Sequence, residues 1–209
     1  MPRIGMQPVR RKALIAATID EIGARGSLDV TVARIARRAG VSSALAHHYF
    51  GNKEQIFLAA MRQTLSEYGA EVRAGLKAAR TPRERVEAIV RAGFSEGHFR
   101  SAVLAAWLNF YVLARTSRQA ERLLVVYHRR IVANLAHALR PLAGEAARDI
   151  AETLAAVIDG VYLREGLGEG TPDGAAATRR VLGVLDAELA ARGGGPGAAG
   201  AQAKDRRGP

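Results

Sequence analysis

The chain has 209 residues, 48% of them apolar, and no cysteine, which argues for a folded protein and against a disulfide framework or any thiolate metal site. Its 31 Lys and Arg against 20 Asp and Glu leave a formal charge of +11, which suits an anionic partner such as nucleic acid or a membrane surface, and equally a coding bias toward Arg and Ala. No stretch reaches the ~18 uninterrupted apolar residues of a membrane span, and the basic start MPRIGMQPVRRKALIAATIDEIG is broken by Asp20 and Glu21, unlike a signal peptide; a cytoplasmic protein is expected.

Apolar residues recur at helical spacing almost everywhere and strand-period alternation is scarce, so the expected fold is all-α. A first helix is read from about Pro8 to Ala24, with Leu14, Ile15, Ile19 and Ile22 on one face and a stop near Gly26. Thr31 caps a second, which turns Val32, Ile35, Ala36 and Ala39 inward and stops at Gly40. Ser42 caps a short third helix through Tyr49, and Asn52, with Gln55 as in a capping box, opens a long fourth reaching toward Ala79. Thr81-Pro82-Arg83-Glu84 opens a fifth. Further helices are expected over 102–115, 118–139, 145–165 and 172–191, with Pro141 and Gly144 separating two of them. The Gly-rich tail over 192–209 lacks periodicity and is expected to be disordered, a solvated tail being favoured over a DNA contact by Lys204, Arg206 and Arg207. The domains expected are 1–53, 54–191 and that tail.

Two short helices joined by Ala39-Gly40-Val41-Ser42 form the core of a helix-turn-helix, Gly40 supplying the left-handed turn and Val41 plugging the angle. The second helix of such a motif enters the major groove, which places Ser42, Ser43, Ala44 and Leu45 nearest the bases and His47 and His48 further along. Small residues permit close approach, serine hydroxyls bond phosphate or base, and Leu45 suits a thymine methyl. His48 and Tyr49 are phosphate candidates, Phe50 turns inward, and Lys53 adds charge at a helix N-terminus already suited to phosphate. Adjacent histidines point about 100° apart on a helix, so one metal does not bind both and no metal site is expected. Residues 1–53 hold nine Lys and Arg against three acids, whereas the other 156 hold 22 against 17, so positive charge is concentrated at this end.

The run Thr31-Val-Ala-Arg-Ile-Ala-Arg-Arg-Ala-Gly-Val-Ser42, followed by His48-Tyr49-Phe50 and Lys53, resembles the DNA-binding signature of TetR-type repressors. Residues Thr31, Arg34, Ser42, Ser43, Ala44, Leu45, His47, His48, Tyr49 and Lys53 are accordingly the DNA-binding candidates. The resemblance implies a homodimer formed through the last two helices, operator DNA as partner and a small effector bound by the larger C-terminal domain. MPRIGMQPVRRKALIAAT, AAWLNFYVLAR at 105–115, HRRIVANL at 128–135 and LAAVIDGVYLREGL at 154–167 are similar to the BetI subgroup, choline-responsive repressors of glycine betaine synthesis genes. Ala44 stands where the family usually has Gly, and His47 where it often has Tyr, so the operator sequence is not carried over.

Choline is a quaternary ammonium with one hydroxyl, and its cationic head calls for aromatic faces worth ~0.5–2 kcal/mol each, with a carboxylate or polar group alongside. Trp107, Phe110 and Tyr111 share one helical face at i, i+3 and i+4, and Asp159 and Tyr162 lie three apart; these five are the effector candidates, with Tyr127 weaker. The alternative for the aromatics is core packing, and for Asp159 contact with the dimer partner. No cofactor is expected, and no enzyme: HExxH, a cysteine nucleophile and a GxSxG elbow are all missing, and Gly166-Leu-Gly168-Glu-Gly170 follows no strand. A sequence-independent DNA binder and a same-family regulator answering another quaternary amine, a lipid or a drug are the competing readings.

Overall fold

Caps decide where this chain changes direction. The computed structural model describes residues 5–193, and among the described residues there are nine α-helices, one 3₁₀ turn and no strand. The helices are α1 (Met6–Arg25), α2 (Val32–Arg38), α3 (Ser43–Phe50), α4 (Lys53–Ala78), α5 (Pro82–Gly93), α6 (Ser101–Ala114), α7 (Arg118–Ala143), α8 (Ala147–Leu167) and α9 (Gly174–Gly193). Thr31, Ser42, Asn52, Thr81 and Ser117 each hold extended backbone, and each side chain accepts from the N–H three residues on. The reciprocal bond of a full capping box forms at Thr81–Glu84. At Asn52 the partner residue turns elsewhere, with Gln55 Nε2 donating to Gln119 Oε1 at 3.1 Å.

Two expectations about helix limits are corrected. Pro141 does not separate helices: α7 runs through it to Ala143, because a proline in the last turn removes only one intrahelical donor while Ala138 and Leu139 beside it stay buried. The break falls at Gly144, with φ 54°, followed by a 3₁₀ turn over Gly144–Ala146 before α8. The last helix continues to Gly193, beyond the 191 expected, and the expectation of a disordered tail otherwise falls on 194–209, outside the described residues.

Helices α1, α2 and α3 close on Leu14, Ile22, Ile35 and Ala46, all 0% exposed. Ile15 and Ala39, expected inward, are half-buried and pack against this core. Helix α1 does double duty: its other contacts are with α4 and α6, and Gly23 lies so close to α6 that a Cβ there would overlap Ala102. The larger C-terminal layer wraps α5 with α4, α7 and α9, and pairs α7 with α8 as its most extensive contact. Val86, Leu104, Phe110, Leu135, Leu154 and Leu185 fill it without solvent exposure. Truncating any of the leucines to alanine would cost about 2–5 kcal/mol.

Candidate functional site

The head of the molecule presents α3. Ala46 is its one fully buried residue and lets the helix seat closely, so Ser42, Ala44, His47 and His48 stand exposed while Ser43, Leu45 and Tyr49 are half-buried. Ser42 Oγ and Thr31 Oγ1 accept from the N–H of Leu45 and Arg34, each at 3.2 Å. Those bonds use oxygen lone pairs and leave both hydroxyl protons free to donate. His47 Nδ1 lies 2.8 Å from the Gly51 carbonyl, which only accepts, so this nitrogen carries the proton and Nε2 faces outward as an acceptor when the ring is neutral.

The candidate cations are held differently. Glu21, buried in α1, takes Arg34 Nε at 3.0 Å and Arg38 Nε at 2.6 Å, fixing α2 onto α1. The hydrogen bond from Arg38, and then that from Arg34, hold the Glu21 carboxyl below its ordinary range against the opposing effect of burial. Arg34 remains half-exposed beside this clamp. Lys53 Nζ donates to the Leu28 carbonyl at 2.9 Å. Arg11, absent from the sequence-derived candidates, donates to the Tyr49 carbonyl at 3.1 Å and lies 4.5 Å from the centre of the Phe50 ring, tying α1 to the end of α3. Neither Glu21 nor Arg11 announces itself locally, since their partners lie 13 or more positions away.

In the C-terminal layer the aromatics converge. Trp107 from α6 lies 4.8 Å from Tyr127 of α7, 5.7 Å from Tyr111 and 6.0 Å from Tyr162 of α8, centroid to centroid. Tyr68 of α4 meets Tyr127 edge-on at 6.4 Å and the buried His98 at 6.1 Å. Between them is a cavity of about 10 Å³, lined by Tyr68, His98, Trp107, Tyr127 and Tyr162 together with Thr64 and aliphatic side chains. That is space for about one water. Phe110 does not line it: fully buried, it packs on Phe57 at 6.3 Å as core.

Asp159 stands just outside this cluster. Its Oδ1 accepts from Tyr111 Oη at 3.0 Å, and its Oδ2 lies 3.2 Å from His128 Nε2. Burial, reinforced by the negative charge of Asp159, pushes the phenols of Tyr111 and Tyr127 above their ordinary value, so both stay neutral. Tyr162 donates to the Gly93 carbonyl, which pins α8 to the end of α5. Spacing in the sequence brings Trp107, Tyr111, Asp159 and Tyr162 to this cluster and offers Tyr127 only weakly, and it carries no sign of Tyr68, His98 or His128. Spacing within one helix cannot register groups from α4, the α5–α6 loop and α7.

One side chain joins the two regions. Asn109, half a turn beyond Trp107 on α6, accepts from Leu28 N–H at 3.1 Å and donates to the Gly26 carbonyl at 3.2 Å. It thereby holds the α1–α2 loop that Lys53 also grips. At the other end of α6, Ser117 Oγ donates to Glu54 Oε1 at 2.6 Å, tying the α6–α7 loop to the start of α4.

A helix-turn-helix head locked onto a helical body with an aromatic-lined cavity defines a DNA-binding regulator of the effector-responsive class. The chain belongs to the TetR family of bacterial regulators: residues 14–60 match the model for bacterial regulatory proteins of the tetR family, and residues 82–190 match that for the C-terminal domain of BetI-type transcriptional repressors. It is 50% identical over 190 residues to the HTH-type transcriptional regulator BetI of Brucella suis, covering 90% of this chain and 96% of that one. It is 51% identical to the regulator of the same name in Rhizobium meliloti over 168 residues, 80% of this chain and 83% of the other. Among solved structures, a TetR transcription regulator of Haloarcula marismortui shares the fold with a TM-score of 0.74 at 17% identity, over 86% of this chain and 98% of that one. A protein of Saccharomonospora viridis, described as a transcriptional regulator and solved in complex with choline, shares it with a TM-score of 0.72 at 20% identity, over 86% and 97%. Regulators of this family bind operator DNA, form dimers and answer small-molecule effectors, and they are not enzymes. None of the helices among the described residues is long and apolar enough to cross a membrane.

Proposed function

We propose that this repressor controls genes of glycine betaine synthesis and is released from its operator by choline. The observation that carries the reading is the aromatic cluster around Trp107 and Tyr127, with the carboxylate of Asp159 at its edge. Four aromatic faces and the nearby negative charges of Asp159 and Glu71 suit a quaternary ammonium, which has no N–H to donate and is attracted to ring faces. The choline hydroxyl finds a partner in Nε2 of buried His98, which lies 3.3 Å from Glu71 Oε1 without an aligned hydrogen bond. A trimethylammonium head is far larger than the cavity of about 10 Å³, so binding must part Trp107 from the tyrosines.

That displacement has a route to the DNA. Moving Trp107 moves α6, and with it Asn109 and the loop over residues 26–28, while the Ser117–Glu54 bond carries the shift to α4. The operator is contacted by Ser42, Ser43, Ala44, Leu45, His47 and His48 in the major groove, with Thr31, Arg34, Tyr49 and Lys53 at the backbone. The DNA-binding unit is residues 1–53 and the effector unit 54–191. Two copies pair through α8 and α9, where Leu163 and Leu167 are 48% and 72% exposed and a side chain added at Gly160 or Gly183 would meet nothing. Two recognition helices then reach successive major grooves ~34–36 Å apart, and altered spacing weakens binding. Choline shifts this equilibrium only through its difference in affinity for the two forms, typically ~1–3 kcal/mol.

Fluorescence anisotropy on DNA from upstream of the protein's own gene, at fixed salt and with a scrambled duplex as control, tests the reading. Selective binding weakened by choline chloride but not by equal sodium chloride supports it. Selective binding indifferent to saturating choline removes the effector, and equal binding to the scrambled duplex removes the repressor assignment.

A further inference from the structure

A second, larger space lies beside the aromatic cavity and has a different chemistry. Between α4 and α7 runs a groove of about 410 Å³, within the size range of small-ligand sites. Gly69 and Ser66 keep the α4 wall low at its centre, and Leu65, Val72, Leu76, Leu123 and Val126 give it an apolar lining. Val72 is buried at the floor, whereas Val126 is 53% exposed at the rim, apolar surface left facing water. Tyr68 and Tyr127 form the wall shared with the aromatic cavity.

The charge around this groove is of one sign. Arg62, Arg73 and Arg130 line it, no Asp or Glu does, and none of the three pairs with a carboxylate among the described residues. Arg62 and Arg73 sit three turns apart, ~16 Å along α4, and Arg130 faces them from α7. Of the tyrosine hydroxyls, only those of Tyr111 and Tyr162 donate within the described residues, so Tyr68 and Tyr127 add two free donors. Guanidinium groups and phenolic donors over an aliphatic floor complement an anionic head on an alkyl chain. The same groups repel a quaternary ammonium, so this groove and the aromatic cavity select opposite charges.

We infer that the α4–α7 groove is a second ligand site, taking a single-chain carboxylate amphiphile whose head is held by Arg62, Arg73 or Arg130 and whose chain lies on Leu65, Val72, Leu123 and Val126. The inference is independent of the choline reading, because none of its evidence comes from the recognition of a cation. Since α4 supplies one wall and also begins at Lys53 against the DNA-binding head, occupancy of the groove bears on the helix that links the two units.

Dodecanoate below its micelle concentration is the probe, with dodecanol as the chain-matched control, titrated into the full-length protein by calorimetry. Trp107, the chain's one tryptophan, gives a second readout through its contact with Tyr127. Saturable binding of dodecanoate, about tenfold tighter than the alcohol and weakened about tenfold when Arg62→Gln, Arg73→Gln and Arg130→Gln are combined, is expected from charge-assisted contacts. Gly69→Leu, which improves helix propensity and fills the groove from α4, should abolish dodecanoate binding while leaving the choline response of the anisotropy assay unchanged. Dodecanol binding as tightly as dodecanoate, or dodecanoate binding unaffected by both the arginine and the Gly69→Leu variants, would overturn the site. Loss of choline response in the parent protein would overturn the proposed effector and leave the groove standing.

Discussion

The two ends of this molecule build their surfaces by opposite means. At the head, the groups proposed to meet DNA lie within 23 consecutive positions, from Thr31 to Lys53, on helices set by local hydrogen bonds at three-residue spacing. In the body, the cluster draws Tyr68, His98, Trp107, Tyr127 and Tyr162 from α4, a loop, α6, α7 and α8, and no local bond orients them. A reading surface can therefore persist while the body beneath it changes ligand, because its geometry depends on caps and one close-packed alanine. The aromatic cavity depends on how five segments cross, and a shift in any one of them alters it.

The sharpest test of this division is Trp107→Ala. Removing a 5% exposed tryptophan should cost about 3–5 kcal/mol of stability and eliminate the choline response, while the folded fraction keeps its operator affinity. Thermal melts read the first effect and anisotropy the others; choline release undiminished in this variant would place the cage elsewhere. Next in size is Asn109→Ala, which touches neither surface. It should keep both choline and DNA binding but lose most of a coupling of ~1–3 kcal/mol, read as the change in operator affinity with and without saturating choline. Unchanged coupling would mean that the two regions communicate through α1 or α4 alone.

Ser42→Ala works from the other side. Loss of the cap should cost about 1 kcal/mol of stability and weaken operator binding, with choline affinity unaltered. If choline affinity of the free protein fell with it, the head and body would not be separable in this way. The smallest effect belongs to Glu21. Its folded carboxyl titrates below the unfolded value, so its clamp on Arg38 and Arg34 stabilises the head above the ordinary carboxylate range and is lost as pH falls through the folded value. Glu21→Gln should lower the melting temperature at neutral pH and make it less sensitive to acid; parallel melting curves for the two proteins from pH 7 to pH 3 would dismiss the clamp.

Legibility in the sequence followed the same division. Thr31, Ser42, Asn52 and Thr81 announce their helices because capping is a relation between residues three apart. Pro141 misleads for the complementary reason: its local cost in the last turn of α7 is small, and the burial of Ala138 and Leu139 outweighs it. Phe110 and Tyr127 exchange the roles that spacing assigns them. Both lie at helical intervals from other apolar residues, and only the neighbours supplied by α4 turn Phe110 onto Phe57 and bring Tyr68 to Tyr127.

By itself, then, the sequence determined the helical class, the order of elements, the turn at Gly40 and the exposed face of α3, because periodicity, caps and glycine conformations act over a few residues. Tertiary structure alone decided which tyrosines meet Trp107, that Glu21 holds two arginines, that Asn109 grips the loop over 26–28, and that arginines from α4 and α7 line one groove. Apart from Trp107 and Tyr111, which share α6, those relations join residues 13 to 83 positions apart, and they exist only once helix packing has fixed the crossing of elements that the chain keeps far from one another.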